Sequence, residues 1–287
     1  MPSDTPVWFI TGAGTGFGQA IAREALSRGH KVIATGRKPH TLVELESAGA
    51  KTQQFDVNAP SEVVEEKIKE AVGFYGRITH LINAAGYVLE GAIEETSDKE
   101  IYDSLNTNVI GAIRVTRAVT PYMRAQGYGF IAIFGSYFSW VGQAGCGMYN
   151  TTKWACSGLS EGLTQELKAF GITVTCVEPG GFRTAFLNKG KRITPEKSMK
   201  DVYEGTPAYE YMRMMDLDDN QQLGDVAKGA TVIVDVLTQT GVAKDKPVPL
   251  RVVLGSDCVE GIRRKCRETL ALLDEWEDVF VSTDIKA

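Results

Sequence analysis

The chain has 287 residues, of which 43% are hydrophobic, and its formal net charge at pH 7 is −5. It can bury a large core, and its acidic balance argues against a protein that grips nucleic acid, which needs a basic face. No run of about 20 apolar residues predicts a membrane span, and residues 1–6 do not resemble a signal peptide, so we expect a cytoplasmic protein with no nucleic-acid or membrane partner.

Short apolar runs alternate with amphipathic stretches along the chain. The apolar runs predict strands at 7–10, 31–35, 52–55, 78–83, 129–135, 172–178 and 250–254. The amphipathic stretches predict helices at 18–27, 41–48, 61–72 with Ser61 as N-cap, 99–124, 148–170 and 225–237, and a C-terminal helical extension over 255–287. This alternation indicates βαβ units with strands covered on both faces. We expect an α/β chain that is one domain over residues 1–287: a single-domain Rossmann fold, with a doubly wound parallel sheet and helices on both faces.

One stretch, residues 184–224, interrupts this alternation. It is rich in charged residues, tyrosines and methionines. It is either a surface excursion or a substrate lid, since long irregular loops in compact domains commonly serve a functional role or are disordered. We expect a mobile lid that becomes ordered when substrate and cofactor bind.

The cysteines predict neither disulfides nor a metal site. Cys146, Cys156, Cys176, Cys258 and Cys266 are odd in number, form no C-x-x-C pair and have no histidine cluster beside them. A reducing cytosol fits this pattern. We expect ordinary core or surface cysteines, and no bound metal.

A glycine-rich segment, Thr11-Gly-Ala-Gly-Thr-Gly-Phe-Gly18, follows the first predicted strand and opens the first helix. Glycines let the backbone turn tightly and approach a pyrophosphate, while the helix N-terminus supplies amide donors and a partial positive charge. Such a segment alone is commonly only a turn, but its place between strand and helix predicts a dinucleotide site. The residues assigned to this site are Gly12, Gly14, Thr15, Gly16, Phe17 and Gly18.

The end of the second strand indicates which dinucleotide is bound. It reads Thr35-Gly36-Arg37-Lys38 and lacks the acidic residue that NAD-binding folds place on the ribose 2′-hydroxyl. Gly36 removes a carboxylate that would repel a 2′-phosphate, Arg37 can bind that phosphate bidentately, and Lys38 adds charge. Two solvated surface cations are the alternative. We expect NADP(H).

A phenol and an ammonium predict acid–base chemistry. Tyr149 and Lys153 stand at i and i+4, one turn apart on a predicted helix. A nearby cation favours the phenolate and lowers the pKa of a tyrosine, which can then exchange a proton with a carbonyl or alcohol oxygen. Ser136 follows a strand at the sheet edge where ligands bind, and its hydroxyl could hold the substrate oxygen. Taken singly, such residues are commonly an exposed pair and a turn cap.

In order along the chain, these motifs resemble those of the short-chain dehydrogenase/reductases, in their compact single-domain, NADP-dependent branch. The resemblance covers residues 7–184, more weakly beyond. The matching elements are T-G-A-G-T-G-F-G at 11–18, Asp56-Val57, N-A-A-G at 83–86, N-V-I-G at 108–111, Ser136, Y-N-T-T-K at 149–153 and P-G-G-F-R-T at 179–184.

The resemblance implies a role for each of these positions. Tyr149 would be the general acid/base, Ser136 the partner of the substrate oxygen, and Lys153 the ligand of the nicotinamide ribose that also lowers the pKa of Tyr149. Asn108 would hold a water in a proton relay to Lys153. The further cofactor contacts implied are Asp56 and Val57 at the adenine, Asn83, Ala84 and Gly86 along the cleft, Pro179, Gly180 and Phe182 beside the nicotinamide, and Thr184 at the carboxamide.

Two departures from the family pattern bear on these expectations. NADP-binding members commonly carry a basic residue inside the glycine loop, where this chain has Thr15, so the charge on the 2′-phosphate falls to Arg37 and Lys38. The usual N-N-A-G is N-A-A-G here, which is a small change. Without the motif order, Asn83 and Asn108 would be read as buried structural asparagines.

Apolar and aromatic residues near the expected nicotinamide site suit a bulky apolar or aromatic ketone or alcohol. We expect a carbonyl reductase or alcohol dehydrogenase; the alternatives are an oxidising dehydrogenase with the same site and a non-catalytic NADP-sensing or scaffold protein. Some of these rings are equally expected in the core. The residues concerned are Tyr137, Phe138, Trp140, Val141, Cys146, Met148, Phe182 and Phe186.

Apolar residues on the predicted helix 148–170 suggest assembly. Opposite Tyr149 and Lys153, this helix carries more apolar surface than one sheet face needs to absorb, namely Trp154, Cys156, Leu159, Leu163 and Leu167. We expect a homodimer or homotetramer that pairs through this helix and the helix 99–124. A C-terminal extension folded over the strip would instead leave a monomer.

Overall fold

Eleven strands are present in the computed structural model, which describes residues 5–184, 192–217 and 221–285. Numbered in chain order, they are β1 (Val7–Thr11), β2 (Lys31–Gly36), β3 (Lys51–Gln54), β4 (His80–Asn83), β5 (Val88–Leu89), β6 (Gly129–Phe134), β7 (Ile172–Pro179), β8 (Phe182–Arg183), β9 (Arg192–Ile193), β10 (Gly224–Asp225) and β11 (Arg251–Leu254). The described α-helices are α1 (Gly16–Ser27), α2 (Val43–Ser47), α3 (Ser61–Tyr75), α4 (Asp98–Leu105), α5 (Gly111–Gln126), α6 (Gly147–Leu167), α7 (Lys200–Tyr203), α8 (Pro207–Leu217), α9 (Val226–Thr238) and α10 (Ser256–Phe280).

Seven strands form one parallel sheet in the order β11-β7-β6-β4-β1-β2-β3. Residues that alternate along each strand fill two separate cores. Phe9, Leu81 and Ile131 face α3, α5 and α6, whereas Trp8 and Ile82 face α1 and α9. The expected doubly wound sheet with helices on both faces is confirmed.

The sheet also shows where a ligand belongs. Strand order reverses between β1 and β4, whose last residues Thr11 and Asn83 are register partners. In doubly wound sheets, the crevice outside the carboxyl ends of the strands at such a reversal receives the ligand. The glycine-rich segment, the end of β4 and Ser136 all lie at this edge.

Several element boundaries differ from those expected, and two of these differences are informative. The helix expected at 61–72 extends to Tyr75, and Pro60 rather than Ser61 occupies its N-cap position, because the first helical hydrogen bond runs from Val64 N–H to the Pro60 carbonyl. The helix expected at 99–124 starts one residue earlier, after the Ser97 capping box, and is interrupted by a π-helical turn at Asn106–Ile110. Such turns are frequent at functional sites.

The apolar strip expected on the outer face of α6 is largely absent. Cys156 and Leu167 are buried in the core, Leu159 and Leu163 pack partly against it, and Trp154 is 50% exposed. The sheet and its neighbouring helices therefore absorb most of this surface.

The stretch 184–224 contains α7, α8 and β9 among its described residues. Strand β9 pairs with β5, and β10 pairs with β8, so both ends of the stretch are held by small parallel sheets. Within the described residues, no helix combines the length and apolar character needed to cross a bilayer, and no group of three or more metal-ligating side chains is placed to hold a metal ion.

Candidate active site

Three side chains assigned to catalysis meet beyond the carboxyl end of β6. Ser136 follows this strand, and Tyr149 and Lys153 lie in the first turns of α6. The Ser136 hydroxyl hydrogen-bonds to the Tyr149 side chain. Lys153 Nζ lies 5.5 Å from the centroid of the Tyr149 ring. All three side chains are buried, so water competes little for their hydrogen bonds.

Burial decides the proton affinity of this group. It raises the pKa of Tyr149 above its ordinary value of 10.0, and the hydrogen bond from Ser136 opposes the rise. Lys153 donates to the Phe134 carbonyl oxygen at 2.6 Å, and burial lowers its pKa. The resemblance implied that Lys153 lowers the pKa of Tyr149; in this structure the loss of solvation outweighs any such effect. A phenol of raised pKa keeps its proton at neutral pH, although it gives that proton up less readily than an ordinary tyrosine does.

Two residues that sequence reasoning missed hold Ser136 against α6. The Ser139 hydroxyl donates to the Lys153 carbonyl at 2.9 Å and accepts from Ser136 N–H at 3.2 Å. The Asn150 amide donates to the carbonyls of Phe138 and Val141 and accepts from Gln143 N–H. Asn150 is buried. Its position inside the Y-N-T-T-K motif was the signal in the sequence that could have identified it.

Asn108 braces the site from the π-helical turn. Its Oδ1 accepts from Tyr87 N–H at 3.0 Å, and its Nδ2 donates to the Tyr87 carbonyl at 2.9 Å and to Thr152 Oγ1 at 3.2 Å. The side chain thus ties the loop after β4 to α6 beside Lys153. Its side-chain amide is engaged in these contacts, and the proton relay implied for Asn108 stays a prediction.

The glycine-rich segment has the shape of a phosphate-binding turn. Gly12 has φ +67°, and a Cβ there would lie 2.9 Å from Ala85 Cα. A Cβ on Gly18 would lie 2.5 Å from the Gly12 carbonyl oxygen, and one on Gly14 would lie 2.3 Å from Thr41 Oγ1. Thr15 is the N-cap of α1 but makes no side-chain cap hydrogen bond, so the first amides of the helix are available to an anion.

The end of β4 carries an unsatisfied polar atom. Asn83 donates to Thr116 Oγ1 at 3.1 Å, while its Oδ1 is buried with no hydrogen-bond partner among the described residues. Ala84 and Ala85 donate their N–H groups to Thr11 Oγ1, and Gly86 lies against Asn108, because a Cβ there would come within 3.1 Å of Asn108 Oδ1. A buried acceptor at the ligand edge of a sheet fits a bound polar group.

The residues expected at the adenine end have different exposures. Arg37 and Lys38 are exposed after β2, and neither takes part in an ion pair within the described residues. Asp56 is exposed and accepts from Asn58 N–H at 2.9 Å. Val57 is buried, and its carbonyl accepts from Arg114 at 3.0 Å. The two exposed cations beside Gly36 suit a bound phosphate. Val57 can contact a ligand through its backbone.

The segment after β7 lies opposite the glycine-rich segment. Pro179 ends β7, Gly180 donates to the Leu254 carbonyl at 2.8 Å, and Thr184 Cβ lies 3.9 Å from the Cβ position of Gly16. The Phe17 and Phe182 rings pack against each other with centroids 5.0 Å apart. Both rings are partly buried and pack against the core, and their contacts with the cofactor stay predictions.

The aromatic wall is smaller than expected and includes residues of α8. Phe138, Cys146 and Tyr149 form one apolar cluster, joined by Tyr211 and Met215 of α8. The Phe138 ring meets the rings of Tyr149 and Tyr211 edge-on at 6.0 and 6.3 Å. The sequence pattern could not show that α8 packs against Tyr149.

Other expected wall residues face elsewhere. Trp140 donates to Glu178 at 2.9 Å and lies under Arg251, and Tyr137 packs against Gly261 of α10. Phe186 lies outside the described residues.

Carboxylates from the segment 90–100 bind side chains and backbone of the segment 192–217. Glu90 is fully buried and forms an ion pair with Arg192, which also binds Asp216 and donates to the Met212 carbonyl at 3.0 Å. Burial raises the pKa of Glu90, and Arg192 opposes that rise. Glu95 accepts from the N–H of Met199 and from the Tyr209 hydroxyl at 2.8 and 2.7 Å.

Two cavities flank the site. One, of about 490 Å³, runs from Thr15, Gly16 and Thr184 along the exposed side of α1. The other, of about 480 Å³, lies between Gly91–Glu94, Gln143–Gly145, Tyr203 and Ala208. Neither of these two cavities is lined by Ser136 or Tyr149; Tyr149 packs against Tyr211 and Met215 of α8.

Comparison with known proteins agrees with this geometry. A family model described as short chain dehydrogenase matches residues 6–193. An oxidoreductase of Botryotinia fuckeliana is 32% identical over 284 residues, which cover 97% of this chain and 99% of that protein. A crystal structure of a short-chain dehydrogenase from Streptomyces avermitilis is 35% identical, with a TM-score of 0.87 over 99% of this chain and 100% of the other. A short chain dehydrogenase/reductase from Burkholderia phymatum, solved in complex with NAD, shares the fold at 21% identity, with a TM-score of 0.73 over 100% of this chain and 99% of the other.

Proposed function

The chain belongs to the short chain dehydrogenase family and is an oxidoreductase with a nicotinamide cofactor, and we propose that it is an NADPH-dependent carbonyl reductase working reversibly as an alcohol dehydrogenase. The observation that carries this proposal is the buried Tyr149, hydrogen-bonded to Ser136 and beside Lys153. The intact group of three argues against a non-catalytic sensor or scaffold.

In this proposal the protein manages the proton, and the cofactor, when bound, supplies or accepts the hydride. Ser136 holds the carbonyl oxygen, and Tyr149 donates its proton to that oxygen as negative charge develops there. Lys153, buried one turn away, binds ribose hydroxyls and steadies the phenolate that remains. At neutral pH Tyr149 carries its proton before the reaction starts, as the reductive direction requires.

The preference for NADPH rests on Gly36, Arg37 and Lys38. An exposed guanidinium with no carboxylate at Gly36 can bind a 2′-phosphate through charge-assisted hydrogen bonds. The proposed preference rests on these residues of this chain; the protein from Burkholderia phymatum, which shares the fold, was solved with NAD. An equal affinity of the protein for NADH and NADPH would contradict it.

The proposed substrate is a ketone, or the matching alcohol, with a bulky apolar or aromatic group. Phe138, Tyr211 and Met215 surround Tyr149 with apolar surface. Apolar surface of this kind binds an apolar group by burial and has few polar groups to fix its orientation. A small polar aldehyde would gain little from it.

A reducing cytosol and a homo-oligomer are part of the same proposal. All five cysteines are free thiols, which suits a reducing compartment. Pairing through α5 and α6 would cover Trp154, the member of the strip that is left exposed.

The decisive experiment removes the Tyr149 hydroxyl, which carries the proton to be donated. In Tyr149→Phe the ring and its packing remain, so NADPH should bind within about threefold of wild type, while turnover of a bulky ketone should fall by at least about 100-fold, the usual contribution of a general acid. Lys153→Ala should impair both binding and turnover. NADPH oxidation is followed at saturating ketone. Near-normal turnover by Tyr149→Phe would exclude the proposed acid.

A further inference from the structure

Helix α10 extends away from the body of the protein. Its buried residues are Cys258 and Gly261, both in its first turns, where Gly261 lies against the Tyr137 ring. Every residue from 266 to 285 is exposed. At about 1.5 Å per residue, the exposed helical part, 266–280, is about 22 Å long.

This exposed part carries a continuous apolar stripe. Leu273, Trp276 and Phe280 are 48%, 45% and 45% exposed, and the rings of Trp276 and Phe280 stack with centroids 6.1 Å apart. Together with Ile262, Cys266 and Thr269 they follow a spacing of alternately four and three residues, which is that of the a and d positions of a coiled coil.

The charges of the same helix are divided into two blocks of opposite sign. The first block is basic and contains Arg263, Arg264, Lys265 and Arg267. The second, about three turns later along the helix, is acidic and contains Asp274, Glu275, Glu277 and Asp278. A helix with this pattern is complementary to a copy of itself that runs in the opposite direction.

We propose that α10 pairs antiparallel with α10 of a second copy of the chain, around a two-fold axis at Ala271. In this register every a position faces a d position of the other helix. Cys266 meets the partner's Trp276, Thr269 meets the partner's Leu273, and Ile262 meets the partner's Phe280. Arg263 comes next to the partner's Glu277.

Charge and area favour this occupant over others. A parallel pair would set basic block against basic block and acidic against acidic. An anionic lipid surface would repel the acidic block at the apolar end of the helix. Six large side chains of 266–280 are about half exposed, and covering them in both copies would bury on the order of 1,000 Å², which is near the lower limit of a specific interface.

The test uses the native thiol. Cys266 is the exposed cysteine, whereas the other four are buried. In Trp276→Cys the new thiol would face the partner's Cys266, but within one chain the two stand ten residues apart, about 15 Å along the helix, too far for a disulfide. The matched control is Ala271→Cys, which puts a thiol on the opposite side of the helix. Both sites are exposed, so neither change threatens the fold.

We expect mild oxidation to convert most of Trp276→Cys to a species of twice the 31.2 kDa chain mass on a non-reducing gel. The species should be absent from Cys266→Ser/Trp276→Cys and reduced at least about tenfold in Ala271→Cys. Equal crosslinking of the control would overturn the proposal, as would a Cys266 crosslink in wild type, which indicates parallel pairing.

A second measurement is independent of thiols. In light scattering, Leu273→Glu should lower the solution mass of the assembly by half, whereas Ala271→Glu should leave it unchanged. An unaltered mass in Leu273→Glu would refute self-pairing. Self-pairing would also be refuted if the wild-type protein binds phosphatidylcholine vesicles and Leu273→Glu does not.

Discussion

The ion pair between Glu90 and Arg192 gives the sharpest prediction about the lid. Arg192→Met removes the guanidinium and keeps an apolar side chain of similar length. It leaves Glu90, which is fully buried, without its positive partner. Arg192 also binds Asp216 and the Met212 carbonyl, so the change detaches α8, whose Tyr211 and Met215 cover Tyr149.

The expected cost follows from burial. Glu90 is fully buried and the Arg192 side chain is 12% exposed, and removing one member of a buried pair costs about 3–5 kcal/mol. That corresponds to roughly 100- to 5,000-fold in the equilibrium that holds the lid closed. The double variant Glu90→Gln/Arg192→Met carries no buried charge, so it should recover most of this loss.

The assay compares the change in the KM for the substrate with the change in the KM for the cofactor. In Arg192→Met the KM for a bulky ketone should rise at least about tenfold while the KM for NADPH changes less than about threefold, because the described partners of the Arg192 side chain are Glu90, Asp216 and the Met212 carbonyl and not the glycine-rich segment. Hydrogen exchange should show loss of protection in α8. Arg213→Met is the matched control. Arg213 lies on α8 and pairs with Glu210 at the surface, where an ion pair contributes little to stability.

The pH dependence supplies an internal check. Without Arg192, burial raises the pKa of Glu90 unopposed, so Glu90 becomes neutral as the pH falls and the defect should shrink toward pH 5. A double variant as impaired as Arg192→Met, or a defect independent of pH, would show that the pair acts only through packing.

Three further predictions concern the site and the fold. Ser136→Ala removes the hydrogen bond that opposes the raised pKa of Tyr149. Because a hydrogen bond to a charged group is worth about 1.5–3 kcal/mol, the alkaline limb of the pH profile for reduction should move up by about one pH unit. An unmoved limb would show that Ser136 does not influence the pKa of Tyr149. Arg37→Asp should weaken NADPH at least about tenfold and NADH much less, measured by fluorescence titration, and parallel losses would remove Arg37 from the phosphate site. Burial lowers the pKa of His80 to about 3 from 6.5, so its contribution to stability is complete above pH 6.5 and is lost as the pH falls toward 3; from pH 7 to pH 5, wild type should lose about 2 kcal/mol more than His80→Gln in urea unfolding, and equal losses would refute this.

Much of the fold was predictable from the sequence because its signals are local. Four-residue apolar runs bounded by turns identify buried strands, and the glycine-rich segment between β1 and α1 identifies a dinucleotide turn wherever it occurs. Tyr149 and Lys153 stand one helical turn apart, so their proximity follows from helix geometry alone. The alternation of strands and helices then requires a parallel sheet with its ligand edge at the carboxyl ends.

Contacts between distant segments were decided by the tertiary structure. Glu90 and Arg192 are 102 residues apart, and nothing in either local pattern selects the other, since acidic and basic side chains in loops are ordinarily solvated. The contact of Tyr211 with the cluster around Tyr149 was not predictable for the same reason, because the position of Tyr211 depends on how α8 packs against the rest of the protein. The pKa of Tyr149 shows the difference most directly. Its spacing from Lys153 predicted a lowered value, but the direction of the shift depends on desolvation, which exists only once α6, α8 and the segment after β6 have closed around the ring.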